Sequence, residues 1–168
     1  MKETLKIENA KILYKNFSGR ETAVNRKGSR NFFVRIDGRK ANKLKKQGWN
    51  IKCTDFKVKT KGNTSKNKKV WFLPVSIKEN IYDIEKEPKI YMQIKGDKDG
   101  MVVDETNIKL LDYCDFSYAY IEVYPYKLSL PNGTSGTKAY LKSGLFSLNP
   151  YVNAHKILSL IKLEDMYS

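Results

Sequence analysis

The alternation of apolar and polar residues predicts a mainly β fold, a small Greek-key barrel with one or two short helices and long basic loops. Roughly six or seven runs follow the two-residue period of a strand. Helix-start signals are confined to short stretches, and clusters of glycine, proline and asparagine separate the runs. At 168 residues the chain reads as one domain, 1–168. A chain of this size buries roughly 68–70% of its unfolded surface and needs no covalent staples. No internal repeat or domain boundary is visible.

Leu5–Tyr14 reads as a first strand, with a phase slip near Glu8 and Asn9 that predicts a bulge. Lys15–Arg30 follows as a long basic loop turned by Gly19 and Gly28. In Asn31–Asp37, Phe32, Val34 and Ile36 fall on one face and Phe33 and Arg35 on the other. Asp37 supplies a capping carboxylate for a short helix over Arg39–Gln47, and Gly48 ends it. Trp49–Lys59 is strand-like without a clear phase. Lys59–Lys69 has five lysines and no apolar side chain, and is predicted to be a flexible basic loop. Val70–Ile77 and Lys89–Lys95 are strands, with Pro74 placing the first at an edge or bulge. Trp71 shares the core parity of Leu73, Val75 and Ile77. Ile90, Met92 and Ile94 point inward, opposite Lys89, Tyr91, Gln93 and Lys95. Gly96–Gly100 is a turn, and Asp104 caps a short helix holding Ile108, Leu110 and Leu111. Two long strands then flank a hairpin loop at Pro131, Asn132 and Gly133. Residues 150–168 form a C-terminal extension, helical over Ala154–Leu163. Among Greek-key barrels the oligonucleotide-binding (OB) fold fits, although strand spacing alone would equally allow a sandwich.

Charge narrows the partner. Residues 1–70 hold 21 Lys and Arg against 5 Asp and Glu, whereas residues 71–168 hold 11 against 13. The whole excess of positive charge, +14 overall, therefore lies in the first part of the chain. Such asymmetry fits a polyanion better than general solubility. A membrane surface would call for a basic amphipathic helix, and none has a convincing apolar face. No run approaches the ~20 apolar residues that span a bilayer, and the first residues lack the apolar core of a signal peptide. Cys53 and Cys114 read as buried free thiols, so a cytoplasmic setting is expected.

The strands carry the functional signal. In Ser117–Tyr126, Ala119, Ile121 and Val123 read as core, and Tyr118, Tyr120, Glu122, Tyr124 and Tyr126 face outward. The next strand turns Ala139 and Leu141 in, and Lys138, Tyr140 and Lys142 out. A solvated face needs only polar residues, but here rings lie between ammonium groups. Rings that stack on bases, interleaved with cations that meet phosphates, hold single-stranded nucleic acid. Cross-strand Tyr–Lys pairs on a wet face would look alike on any one strand. Three strands with the same division, joined to the charge, favour binding. The candidate nucleic-acid contacts are Phe33, Tyr91, Tyr118, Tyr120, Tyr124, Tyr126 and Tyr140 as rings. The cations are Arg20, Arg26, Lys27 and Arg30 on one loop, Lys61, Lys66, Lys68 and Lys69 on the other, and Arg35, Lys138 and Lys142 on strands.

Catalytic constellations are missing from the pattern. His155 and two distant cysteines do not make a zinc site, and Gly133–Lys138 has the wrong spacing for a phosphate loop. Asp97 and Asp99 fail the calcium-loop pattern; Asp83, Glu85 and Glu87 read as a solvated connection. No cofactor, metal or catalytic residue is predicted, and the chain reads as a non-enzyme.

Four blocks resemble a family of bacteriophage single-stranded DNA-binding proteins with an OB-fold. They are Asn9–Gly19, Arg30–Phe32, Gly48–Asn50 and Gly136–Lys142, in that order along most of the chain. The resemblance implies coating of single strands in phage DNA replication or recombination, with replication or recombination proteins as partners. Acidic tails often recruit such partners, but Lys162–Ser168 holds only Glu164 and Asp165. The residues leave open RNA as ligand, a homodimer, and a phage inhibitor that uses the aromatic face on a host protein.

Overall fold

The structure, a computed structural model, describes residues 3–62, 64–78, 87–94, 100–129, 131–133 and 135–149. Its elements are β1 (Leu5–Ile7), β2 (Lys11–Asn16), β3 (Arg30–Ile36), α1 (Gly38–Lys46), β4 (Lys52–Lys59), β5 (Ser65–Ile77), β6 (Lys89–Ile94), β7 (Met101–Val103), β8 (Phe116–Ser129) and β9 (Ser135–Leu148). A 3₁₀ helix, Ile108–Asp112, lies between β7 and β8. The mainly β expectation holds. The strands form one mixed sheet in the order β1-β8-β9-β5-β3-β2, with β4 on β5, and β6 on β9 with β7 beyond it. The expected barrel is a sheet curled around one core and not closed. The two ends of the main strand order, β1 and β2, are consecutive in the chain.

That junction corrects the single first strand. Leu5–Tyr14 is two strands, because β1 pairs with β8 while β2 pairs with β3. Asn9 turns the chain between them at φ 48, a left-handed conformation that asparagine tolerates. The phase slip in the sequence therefore marks a change of partner. Just after it, the Ala10 N–H donates to the Ala119 carbonyl at 2.8 Å and holds the turn against β8.

The core follows the alternation. Phe32, Val34, Leu73, Val75, Ala119, Ile121 and Val123 are fully buried on the concave face. Phe17 stacks on Phe32 with centroids 5.3 Å apart, and Phe146 meets both edge-on. Gly144 makes room for this cluster: a Cβ there would lie 2.8 Å from the Phe146 ring. Ile94, expected inward, is exposed at the end of β6.

Helix α1 forms as its caps dictate. The Asp37 carboxylate accepts from the Lys40 N–H at 3.0 Å. Gly48 stops it at φ 94, with Gly48 N–H to Lys45 O and Trp49 N–H to Leu44 O closing the last turn. Thr137 of β9 then exchanges bonds with Gly48 O and Asn50 N–H, which docks the helix exit on the sheet.

The expected flexible loop at Lys59–Lys69 is instead the tip and return strand of a hairpin. β4 pairs with β5 from Lys52↔Phe72 to Lys59↔Ser65, leaving only a short turn at its end. Period-two patterning was invisible there because every residue of β4 and the first five of β5 are exposed, so no face had to be apolar. Cys53, expected buried, is exposed for the same reason; Cys114 is buried. The predicted turn at Gly96–Gly100, apart from Gly100, and the C-terminal extension from residue 150 lie outside the described residues.

Candidate nucleic-acid interface

Strand pairing builds the outer face row by row. Tyr124 is opposite Tyr140, Tyr140 is beside Ser76, and Ser76 is opposite Asn31. One transverse row therefore runs Tyr124–Tyr140–Ser76–Asn31 across four strands. Tyr126 and Lys138 pair next to it. The Tyr140 ring lies 5.8 Å from Tyr124 and 5.3 Å from Tyr126, and the Lys78 ammonium stands 5.8 Å from its centroid. Burial, with the Tyr140 phenol nearby, pushes the Tyr124 pKa up, so that ring stays neutral through the physiological range.

The loop between β2 and β3 folds over the same row. Its root is fixed by Phe17 in the core and by the Asp112 carboxylate, which accepts from the Phe17 N–H at 2.6 Å and the Ser18 N–H at 3.0 Å. Buried Asn16 bonds both the N–H and the carbonyl of Arg20, and the Gly28 N–H donates to Gly19 O at 2.7 Å. Asn31 of the outer row donates to the Asn25 side chain at 2.8 Å, pinning the loop to β3. The result is an open cleft of about 600 Å³, lined by Arg26 and Asn25 of the loop with Ser76, Lys78, Lys138 and Tyr140 of the sheet. Cations and a ring thus meet around one opening, which is the chemistry a sugar-phosphate chain with unstacked bases requires.

The structure sorts the sequence candidates. Arg26, Lys138 and Tyr140 line the cleft, with Tyr124 and Tyr126 packed beside it. Arg20 and Lys27 are exposed on the overhanging loop. Arg30 lines the cleft wall but forms a two-pronged ion pair with Glu105, at 2.6 and 2.8 Å. That pair holds the guanidinium at the cleft wall, between the loop and Glu105. Lys142 is the extra residue of a β-bulge, since Glu122 pairs with Ser143 and Val123 with Leu141. The bulge turns it toward Glu122, 3.6 Å away. Glu122 also accepts from the Thr4 hydroxyl at 2.6 Å, and that bond, helped by Lys142 and Lys6, holds its carboxyl below the ordinary glutamate range.

Other candidates lie elsewhere. Tyr91 lines a neighbouring cleft of mixed charge, with Arg30 and Lys89 beside Glu87, Asp104 and Glu105. Tyr118 and Tyr120 face outward, but Tyr118 is six residues, about 20 Å of strand, from Tyr124. It lines a groove with Leu13 and Lys15 at the opposite end of β8. Phe33 and Arg35 belong to a second outer patch, where the Phe33 ring is 5.6 Å from Tyr14 and 6.1 Å from Phe72. Lys66, Lys68 and Lys69 project from β5, and Lys61 sits at the hairpin turn.

Three residues of this surface escaped the sequence reading. Lys78 follows a strand directly and gave no pattern. Phe72, on the parity opposite to Leu73 and Val75, pairs with Arg35 on the outer face and is buried there against Tyr14 and Phe33. Tyr14 ended a supposed strand; it sits where the β2–β3 register shifts, at φ 51, and is 63% exposed. A ring held out to solvent by a left-handed backbone is a strained arrangement, of a kind that clusters at binding sites.

Among the described residues, no three His, Cys, Asp or Glu side chains converge as metal ligands, and no helix is long and apolar enough to cross a membrane. A protein-family model described as "Putative phage ssDNA-binding domain" matches residues 1–155. No curated protein and no solved structure matches the chain.

Proposed function

This chain belongs to the phage single-stranded DNA-binding family, and from that premise we propose that it coats single strands without sequence preference during phage DNA replication or recombination. It does so as a non-catalytic binder. Bases stack on Tyr140, Tyr124 and Tyr126 while Arg26, Lys78 and Lys138 neutralise the flanking phosphates. The observation that carries the reading is the cleft in which the β2–β3 loop brings Arg26 over the tyrosine row. Stacking suits tolerance of sequence, because every base has a π-face.

The test is a titration of oligo(dT), oligo(U) and duplex DNA of equal length at two salt concentrations. Tightest binding to oligo(dT) is expected, with a log–log salt slope of about −3 to −5. Each neutralised phosphate on a single strand contributes about −0.7. Equal or stronger binding to duplex would refute the stacking reading. Stronger binding to oligo(U) would assign the site to RNA.

A further inference from the structure

We propose that the β4–β5 hairpin is a second arm of the binding site, in which Phe56 takes a base and the lysines around it take phosphates. This rests on the single-strand reading above. Register puts Phe56 opposite Lys68, Val58 opposite Lys66, and Lys52 opposite Phe72. Alternation carries these residues onto the same face as Phe72, and so onto the outer patch of Phe72, Phe33 and Tyr14. Tyr14 and Phe33 pack on Phe72 and leave it buried, but beyond Val70 the ribbon is open: Phe56 is 41% and Val58 43% exposed, and every residue of β4 and the first five of β5 stand in solvent.

Charge decides what the arm holds. Residues 52–69 carry seven lysines and one acid, Asp55. A second copy of the chain docked there would bring like charges together, whereas a single strand supplies the compensating phosphates. A two-stranded ribbon is marginal in water by itself, so a ligand that neutralises its lysines also orders it. The arm is continuous with the cleft. From Ser76, in the Tyr140 row, β5 runs ten residues back to Lys66, a path of about 33 Å. One strand of nucleic acid lying along β5 would therefore pass from Tyr140 across the patch where exposed Tyr14 packs on Phe72, and on to Phe56. At about 3.4 Å per stacked nucleotide that path holds about ten nucleotides, within the range of about 4–16 that OB-folds cover.

The experiment compares oligo(dT) of about 6 and about 16 nucleotides, the two ends of that range, on the parent, Phe56→Ala, Phe56→Leu and the triple variant Lys66→Ala, Lys68→Ala, Lys69→Ala. The parent should bind the longer strand more tightly. Phe56→Ala should lose roughly 5- to 100-fold on the long strand, the worth of one stacked base, and little on the short one. Its salt slope should not change. Phe56→Leu keeps an apolar side chain on the ribbon but has no π-face, so it should bind like Phe56→Ala. The triple lysine variant should flatten the slope by about 1.4, about 0.7 each for Lys66 and Lys68, because Lys69 pairs with Asp55 on the other face of the ribbon. Folded variants that bind both lengths like the parent would overturn the arm while leaving the cleft intact. Unchanged DNA binding together with loss of a dimer in sedimentation would assign the face to a second copy and overturn it as well. A parent that binds neither length would remove the single-strand reading itself.

Discussion

Replacing Tyr140 with alanine tests the cleft most directly. The ring sits between Tyr124 and Tyr126 and under the Lys78 ammonium, so it is both a platform and the organiser of its neighbours. One stacking platform is worth about 1–3 kcal/mol per base. The expected loss is therefore about 1–3 kcal/mol, or roughly 5- to 150-fold in Kd. The fold should survive, because Tyr140 is half-buried on the outer face and its aromatic pairs are worth only about 0.5–1.5 kcal/mol. A cost of that size lowers Tm by a few degrees in a domain of this length. Among the described residues the Tyr140 hydroxyl makes no hydrogen bond, so Tyr140→Phe should bind like the parent. Fluorescence anisotropy of labelled oligo(dT) at fixed salt reads the affinities, and circular dichroism reads the fold. If Tyr140→Phe is as damaging as Tyr140→Ala in a folded protein, the hydroxyl is the contact and stacking is the wrong explanation. If both bind like the parent, the cleft is not the site.

Three further outcomes are expected. Lys78→Ala with Lys138→Ala should make the salt slope on oligo(dT) shallower by about 1.4, at about 0.7 per phosphate contact, while thermal stability hardly moves; an unchanged slope would take phosphate out of this cleft. Asp112→Ala strips the carboxylate from the Phe17 and Ser18 N–H groups, so thermal denaturation should show a loss of about 1–3 kcal/mol. Asp112→Asn, which keeps one acceptor oxygen, should recover part of that. Glu122 has its folded pKa lowered, chiefly by the Thr4 hydroxyl, so its contribution is present above the ordinary glutamate range and lost as the pH falls through the lowered value. Urea midpoints followed from about pH 6 down to about pH 3 should fall more steeply for the parent than for Glu122→Gln, and parallel curves would show that the Thr4–Glu122 latch carries no weight.

Alternation along the chain determined the sheet and which side of it is core. Phe32, Val34, Ala119, Ile121 and Val123 are buried as their parity requires, and the tyrosines of β8 and β9 face out. The helix was legible because Asp37 and Gly48 punctuate it with local chemistry alone. Those features depend on neighbours within a few residues, which a sequence displays directly. Pairing partners depend on residues far apart, and that is where the structure alone decided. The break at Asn9, the bulge at Lys142 and the ribbon over Lys59–Lys69 all arise from which strand lies alongside. The site shows the same division. Candidate rings and cations were visible as residue types, but distance and competition sorted them. Arg30 pairs with Glu105, Tyr91 lies in a neighbouring cleft of mixed charge, and Lys78 stands by the ring of Tyr140, sixty-two residues away in the chain. A charge acts on whatever surrounds it in space, and those surroundings are set only when the sheet curls.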